Sequence, residues 1–157
     1  MTTGGSLVSD LFESILTHLE HDGVQFRRIG GHTAVEMAVA GDNGSFRMVI
    51  VVDAERGVVR YLTFVEGKVP EHRRREVMEF LTRANYGLLL GNFELDLSDG
   101  EVRFKVAHEA EPSTLSHAQF QSNLYLSVAI MDRYFPGLQR VIQGSSDAAA
   151  AIADIET

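Results

Sequence analysis

Histidine is the residue type in this sequence that most readily binds a transition metal, and six histidines are present. His18 and His21 lie three positions apart on a predicted helix, so both fall on its polar side. The carboxylate at ligand spacing from them is Glu20, and the HExxH pattern is absent. The other four histidines belong to different predicted elements: His32, His72, His108 and His117. We therefore expect solvated surface histidines, with no bound metal and no other cofactor.

Four acidic residues around a predicted β-hairpin resemble paired catalytic carboxylates or calcium ligands: Glu94, Asp96, Asp99 and Glu101. Strand alternation places Glu94 and Asp96 on the solvent side, and Asp99 precedes Gly100 in a tight turn that should require a positive φ. The spacing of an EF-hand is absent, as are cysteine and the GxSxG, P-loop and GxGxxG patterns. The sequence therefore predicts a protein that is not an enzyme and has no catalytic residues.

The concentrated basic segment is 72–75, which could attract phosphate or an acidic partner. Glu71 and Arg75 are four positions apart, and so are Glu79 and Arg83, as in ordinary ion pairs on a helix. A solvated helix face is therefore favoured over a binding patch. The net charge of −8 also opposes binding to nucleic acid or to an anionic membrane surface.

The composition fits one globular core, because 45% of the 157 residues are hydrophobic and 23% are charged. Residues 1–6 lack the positive charge and apolar run of a signal peptide. No apolar segment approaches the roughly 20 residues that a membrane-spanning helix needs. We expect a cytoplasmic protein.

Apolar periodicity and turn residues predict an α+β domain in which helices pack on an antiparallel sheet. The predicted helices cover residues 6–20, 70–84, 113–135 and part of 145–157. The predicted strands cover residues 24–29, 33–40, 45–52, 58–65, 93–97 and 102–106. Residues 48–52 are apolar throughout, which is typical of a central strand. Pro70 suits the first turn of the second helix, and Pro136-Gly137 should kink or end the long helix.

Several segments from the hairpin onward carry a resemblance to a known family. They are Asn85-Tyr86-Gly87, Gly91-Asn92-Phe93-Glu94-Leu95, Asp99-Gly100-Glu101-Val102-Arg103-Phe104, Asp132-Arg133-Tyr134-Phe135-Pro136 and Val141-Ile142-Gln143-Gly144. This part of the sequence, roughly Val69 to Gly144, resembles the YbjN family, and the first 65 residues match in element order. We expect one YbjN-like domain over 1–144 and a short helical tail over 145–157.

The resemblance implies a bacterial sensory-transduction regulator with a fold similar to type III secretion chaperones, which are typically dimers that bind polypeptide segments. The family has no catalytic motif to carry over to this sequence. The function predicted on this basis is a regulatory or chaperone-like adaptor that binds another polypeptide, as a homodimer. The alternative is a small-molecule sensor with an apolar pocket between sheet and helices.

A second apolar stripe on the long helix, opposite its main stripe, is the candidate protein interface. It consists of Leu126 and Ile130 with Ala129 nearby, and Met78 on the second helix is a further candidate. The alternative is that the first helix or the tail covers these residues within one chain.

Overall fold

The computed structural model describes residues 4–111 and 115–157, and their side chains from Asp10 onward. The helices are α1 (Gly4–His21), α2 (Arg74–Gly87), α3 (His117–Gln143) and α4 (Ala148–Glu156), and a short 3₁₀ helix, Glu71–Arg73, precedes α2. The strands are β1 (Arg27–Arg28), β2 (Ala34–Ala40), β3 (Ser45–Asp53), β4 (Val58–Phe64), β5 (Asn92–Leu95) and β6 (Val102–Glu109). The predicted α+β class and element order are confirmed.

All six strands form one antiparallel sheet in the order β1-β2-β3-β4-β6-β5. The register places Val35 opposite Ile50, Ile50 opposite Tyr61, and Tyr61 opposite Val106. These four buried side chains form one row across the sheet, and because successive residues of a strand point to opposite faces, their neighbours point the other way. The register therefore defines two faces, and each has its own apolar cluster.

The main core lies on the face that carries the helices. Each helix contributes at least one buried side chain to it: Ile15, Phe80, Met131 and Ile152. Burial of each such side chain stabilises the fold by roughly 1.5–3 kcal/mol. A buried hydrogen bond of 2.6 Å between the hydroxyls of Thr63 and Ser127 also joins β4 to α3.

The long helix α3 continues through Pro136, where the sequence predicted a kink or an end. Proline has no N–H, so Pro136 leaves the carbonyl of Asp132 without its helical donor. Asn43 fills this role from the β2–β3 turn, since its Nδ2 donates to Asp132 O at 3.1 Å. The Asp132 carboxylate in turn accepts from the backbone N–H groups of Asp42 (3.1 Å) and Asn43 (2.8 Å). A polar connection to the sheet therefore replaces the missing helical bond.

The tail folds as α4 and packs against α2 and α3. Its N-cap is Asp147, whose side chain accepts from Ala150 N at 2.7 Å. Glu76 on α2 accepts from Ala148 N at 2.9 Å, and Tyr134 on α3 donates to Glu156 at 2.8 Å. Both ends of α4 are therefore held by side chains of the neighbouring helices.

Two further predicted boundaries are wrong. The strand predicted over 24–29 is reduced to Arg27–Arg28, and Val24 N donates to Leu19 O at the end of α1 instead of to a strand. Pro70 is not in the first turn of a helix, since its backbone is extended at φ −58° and ψ 146° and the 3₁₀ helix begins after it. The expected positive φ of Gly100 is confirmed at 87°, and a Cβ at this position would overlap the backbone of Val69.

Candidate protein-binding site

The face of the sheet that points away from the helices has a small apolar centre. Its buried members are Ala34, Val49, Leu62 and Phe64, with Ile29 and Val51 packed at the margin. No helix residue of the described chain belongs to this cluster. We call this surface the open face. An antiparallel sheet commonly leaves one face to solvent, but that face is then usually polar along each strand. Here the centre of the open face is apolar.

Charged side chains cover one side of this apolar centre. The Arg47 guanidinium lies over the Phe64 ring, 4.4 Å from its centroid. Glu36 pairs with Arg27 and, at 3.5 Å, with Arg47. The hydrogen bond from Arg27 lowers the pKa of Glu36, so this carboxylate stays ionised at neutral pH. These three charged side chains, all from strands, therefore form one border of the apolar centre.

A second charged group lies across β5 and β6 on the same face. Glu94 accepts from Arg103 at 2.7 Å and from Lys105 at 2.9 Å. Burial raises the pKa of Glu94, but hydrogen bonds from Lys105 and Arg103 outweigh burial and leave the pKa below its usual value. The open face therefore has charged borders of mixed sign on two sides of an apolar strip.

A groove of about 830 Å³ opens on this face beside β1. Its apolar wall includes Phe26, Ala38 and Phe64, and its charged wall includes Arg27 and Glu36. The remaining lining residues are Gln25, Met37, Ser45, Phe46, Arg47, Val65, Glu66, Gly67, Lys68 and Glu101. None of these residues belongs to a helix. This cavity therefore gives no support to the alternative of a small-molecule pocket between sheet and helices.

A separate apolar surface, which we call the α2 patch, consists of Met78, Tyr86, Leu89 and Leu90. The exposed fraction is 96% for Tyr86, 94% for Leu89, 59% for Leu90 and 43% for Met78. Met78 and Tyr86 are eight positions apart and so lie on one side of α2, and the two leucines directly follow the helix. Large apolar side chains with this much exposure are candidates for an interaction surface.

The other interface residues expected from the sequence lie on α3. Ala129 is exposed, whereas Leu126 and Ile130 are half-buried and pack against the main core. Tyr125, which the sequence analysis did not select, is 62% exposed on the same helix. The structure therefore places Leu126, Ala129 and Ile130 together on α3 and Met78 on the α2 patch.

The hairpin acids have structural partners. Lys68 donates to both Asp99 and Glu101 at 3.0 Å, and these two hydrogen bonds raise the pKa of Lys68. Asp96 accepts from the Ser98 backbone at 2.9 Å, which together with the Ser98 hydroxyl lowers the pKa of Asp96. The four carboxylates thus serve ion pairs and turn geometry, as the solvent-side and turn interpretation predicted.

The basic segment and three of the histidines are less solvated than the sequence indicated. Arg73 Nε donates to Val141 O at 3.1 Å, and Arg74 Nε donates to Val69 O at 3.1 Å, so both guanidinium groups are structural. The expected pair of Glu79 and Arg83 is present at 3.1 Å. His18 is half-buried and stacks on Phe120, and its Nε2 atom lies 3.1 Å from Leu115 O. The expectation of solvated surface histidines is therefore wrong for His18, and His108 and His117 are half-buried as well.

The fold belongs to a class shared with type III secretion chaperones. Along the chain, a first helix is followed by strands β1–β4, then by α2, the β5–β6 hairpin and the long helix α3, and the six strands form one antiparallel sheet. A chaperone–effector complex, HopA1–SchA, contains a chain of this fold. That chain is 15% identical over 80% of this chain and 93% of its own length, with a TM-score of 0.51. A chain of the ExsC–ExsE complex is 16% identical over 82% and 90%, with a TM-score of 0.48.

Residues 12–140 match the YbjN family, described as "Putative bacterial sensory transduction regulator". The chain belongs to this family. The crystal structure of YbjN from E. coli is similar, with 13% identity over 77% of this chain and 85% of that chain and a TM-score of 0.62. No curated protein matches the sequence. Among the described residues, no helix combines the length and apolar character needed to cross a membrane.

Proposed function

We propose that this protein is a non-enzymatic cytoplasmic adaptor, regulatory or chaperone-like, that binds another polypeptide and acts as a homodimer. The observation that carries the proposal is the groove of about 830 Å³ on the open face. Its apolar walls and charged border suit an extended peptide, because such a segment can bury alternate apolar side chains while its polar groups meet the charges. The family's description as a regulator and the chaperone–effector complex of similar fold are compatible with a polypeptide partner.

The groove also favours a polypeptide over a small molecule. A small-molecule site usually encloses most of its ligand between folded elements. The apolar cluster of this face contains no helix residue of the described chain. Strands and turns line the groove. The groove also lies at the β1 edge of the sheet, where β1 pairs with β2 over Arg27–Arg28 alone.

For the homodimer, we propose the α2 patch as the contact between the two copies. Tyr86 and Leu89 gain the most from association, because they are almost fully exposed in the single chain. The α3 residues Leu126 and Ile130 already pack against the core, so they gain less on association, and Ala129 offers a small contact. The α3 surface is therefore the secondary candidate for self-association.

Site-specific photo-crosslinking tests the groove. A photoreactive phenylalanine analogue at Ala38, which is exposed in the groove, is expected to capture a polypeptide in the host cell. The matched control carries the analogue at Glu71, which is exposed and outside the groove. Ala38→Trp, which fills the groove without emptying the core, should reduce crosslinking from a probe at neighbouring Glu36. Equal adducts from positions 38 and 71 would contradict the groove as the binding site.

Light scattering coupled to size-exclusion chromatography, over a range of protein concentrations, tests the homodimer. Leu89→Glu is expected to give a folded monomer if the α2 patch is the contact, because its side chain is exposed and its replacement leaves the core intact. Ala129→Glu is the matched variant for the α3 surface. A dimer that survives Leu89→Glu but not Ala129→Glu moves the interface to α3. A wild-type protein that stays monomeric at high concentration removes the homodimer from the proposal.

A further inference from the structure

The C-terminal end of α1 and the N-terminal end of α3 bring two histidines and one carboxylate together. Asp22 Oδ1 lies 2.6 Å from His117 Nε2 and 3.2 Å from His21 Nδ1. One potential ligand atom from each of the three residues lies within 4.8 Å of the other two. The side chains of Asp22, His117 and His21 are 16%, 35% and 73% exposed, so the cluster is open to solvent on the His21 side.

The backbone on both sides of the cluster is fixed by hydrogen bonds. Asp22 N donates to His18 O at 3.1 Å, and Gly23, with φ of 67°, allows the chain to turn at the end of α1. Ser116 caps α3 by accepting from Gln119 N at 3.1 Å, which fixes the position of His117 in the first turn. One helical turn before His21, the Nε2 atom of His18 contacts Leu115 O and thereby also joins the two segments.

A fourth side chain orients the carboxylate. Gln121 Nε2, one helical turn after His117, donates to Asp22 Oδ2 at 3.2 Å. This leaves Oδ1 directed at the two imidazole rings. Hydrogen bonds of this kind behind a ligand are a regular feature of metal sites, because they fix the direction in which the ligand's lone pair points.

The set of donor atoms suits a particular class of metal. Two imidazole nitrogens and one carboxylate oxygen are ligands that zinc binds at about 2.0–2.2 Å, which places neighbouring donors roughly 3.3–3.5 Å apart in a tetrahedron. The observed 2.6 Å and 3.2 Å are slightly shorter, so small side-chain rotations open the space for an ion. Magnesium and calcium prefer sets made of oxygen ligands and are disfavoured here. The net charge of −8 also favours a cation.

We propose that His21, Asp22 and His117 bind one divalent metal ion of the zinc class and thereby join the end of α1 to the start of α3. Three protein ligands leave a fourth position for water or for an atom of another molecule. Because the ligands come from two elements far apart in sequence, bound metal stabilises the folded arrangement over the unfolded chain. This site does not depend on the groove or on the homodimer.

Calorimetric titration of zinc into untagged, metal-free protein at pH 7.5 tests the site, together with thermal unfolding of the same samples. The expected result is one zinc per chain and a higher unfolding temperature. His21→Ala and His117→Gln should each weaken binding at least about tenfold, since even the partners behind a metal ligand contribute this much. The matched control is His72→Ala, because His72 is exposed and outside the cluster. Cobalt should give the strong visible absorption of a tetrahedral complex.

Several results would overturn the proposal. One is the absence of stoichiometric zinc binding by the folded wild-type protein, and another is binding of equal strength in the His21→Ala, His117→Gln double variant. Magnesium binding in preference to zinc would also be incompatible with these ligands. Because His21 is largely exposed, His21→Ala is expected to fold, and circular dichroism without metal verifies this before the titration.

Discussion

The two faces of the sheet use the same strands in different ways. On β6, Phe104 points to the helix side and is fully buried, whereas its neighbours Arg103 and Lys105 point to the open face and pair with Glu94. On β3, both faces are apolar in the middle, because Ile50 belongs to the main core and Val49 to the open-face cluster. The helix face therefore stabilises the fold, while the apolar centre of the open face includes no helix residue of the described chain.

This difference predicts that the two faces contribute unequally to the free energy of unfolding. Side chains on the helix face contact several elements at once, so their removal leaves cavities that the structure cannot fill. Charged side chains on the open face pair with one another and stay partly exposed, so the removal of one of them costs little folding free energy.

Truncation on opposite faces of β6 is the strongest test of this comparison. Phe104→Ala should lower the free energy of unfolding by about 3–5 kcal/mol, because it empties a fully buried site packed against Phe93. Arg103→Ala, one residue away on the open face, should cost less than about 1 kcal/mol. Urea unfolding measures both values. Similar losses for the two variants would show that the open face contributes to the core as much as the helix face.

The hydrogen bond between Thr63 and Ser127 gives a smaller effect on the helix face. Ser127→Ala removes one hydroxyl and leaves that of Thr63 buried without this partner, which should cost about 1–3 kcal/mol. The double variant Thr63→Val, Ser127→Ala should lose less free energy of unfolding than the two single variants together, because it removes the unsatisfied hydroxyl as well. A double-mutant cycle by chemical unfolding measures the coupling. Strict additivity would mean that the hydroxyls do not form this bond in solution.

The sequence predicted the order of elements because their signals are local. Alternation, turn residues such as Asp99-Gly100 and helical periodicity act within a few residues of one another. Boundaries failed where distant residues decide them. Pro136 lies inside α3 and has no N–H to donate to the Asp132 carbonyl. Asn43, 93 positions before Pro136, donates to this carbonyl instead. A sequence pattern near the proline does not contain this information.

The candidate sites were less predictable than the fold. The groove depends on how β1 and the segment after β4 approach each other, and the sequence pattern did not reveal which residues line it. The α2 patch was partly predictable, since Met78 was selected, but Leu89 and Leu90 looked like ordinary apolar residues after a helix. His117 lies 95 residues from Asp22, so spacing along the chain could not reveal their cluster.

Acid titration of Glu94 gives the smallest expected effect and tests the charged border of the open face. The hydrogen bonds from Lys105 and Arg103 outweigh burial and hold the pKa of Glu94 below the usual value of a glutamate in the folded protein. A carboxylate with a lowered folded-state pKa stabilises the fold above its unfolded-state pKa, and this contribution is lost as pH falls through the folded-state value. Glu94→Gln should therefore lower stability at pH 7 by less than about 1 kcal/mol, because the pair is partly exposed, and should leave stability at pH 3 nearly unchanged. Chemical unfolding at both pH values measures this difference. An equal loss at pH 3 and pH 7 would mean that Glu94 stabilises the sheet through packing, and the open face would then be less distinct from the helix face than its ion pairs indicate.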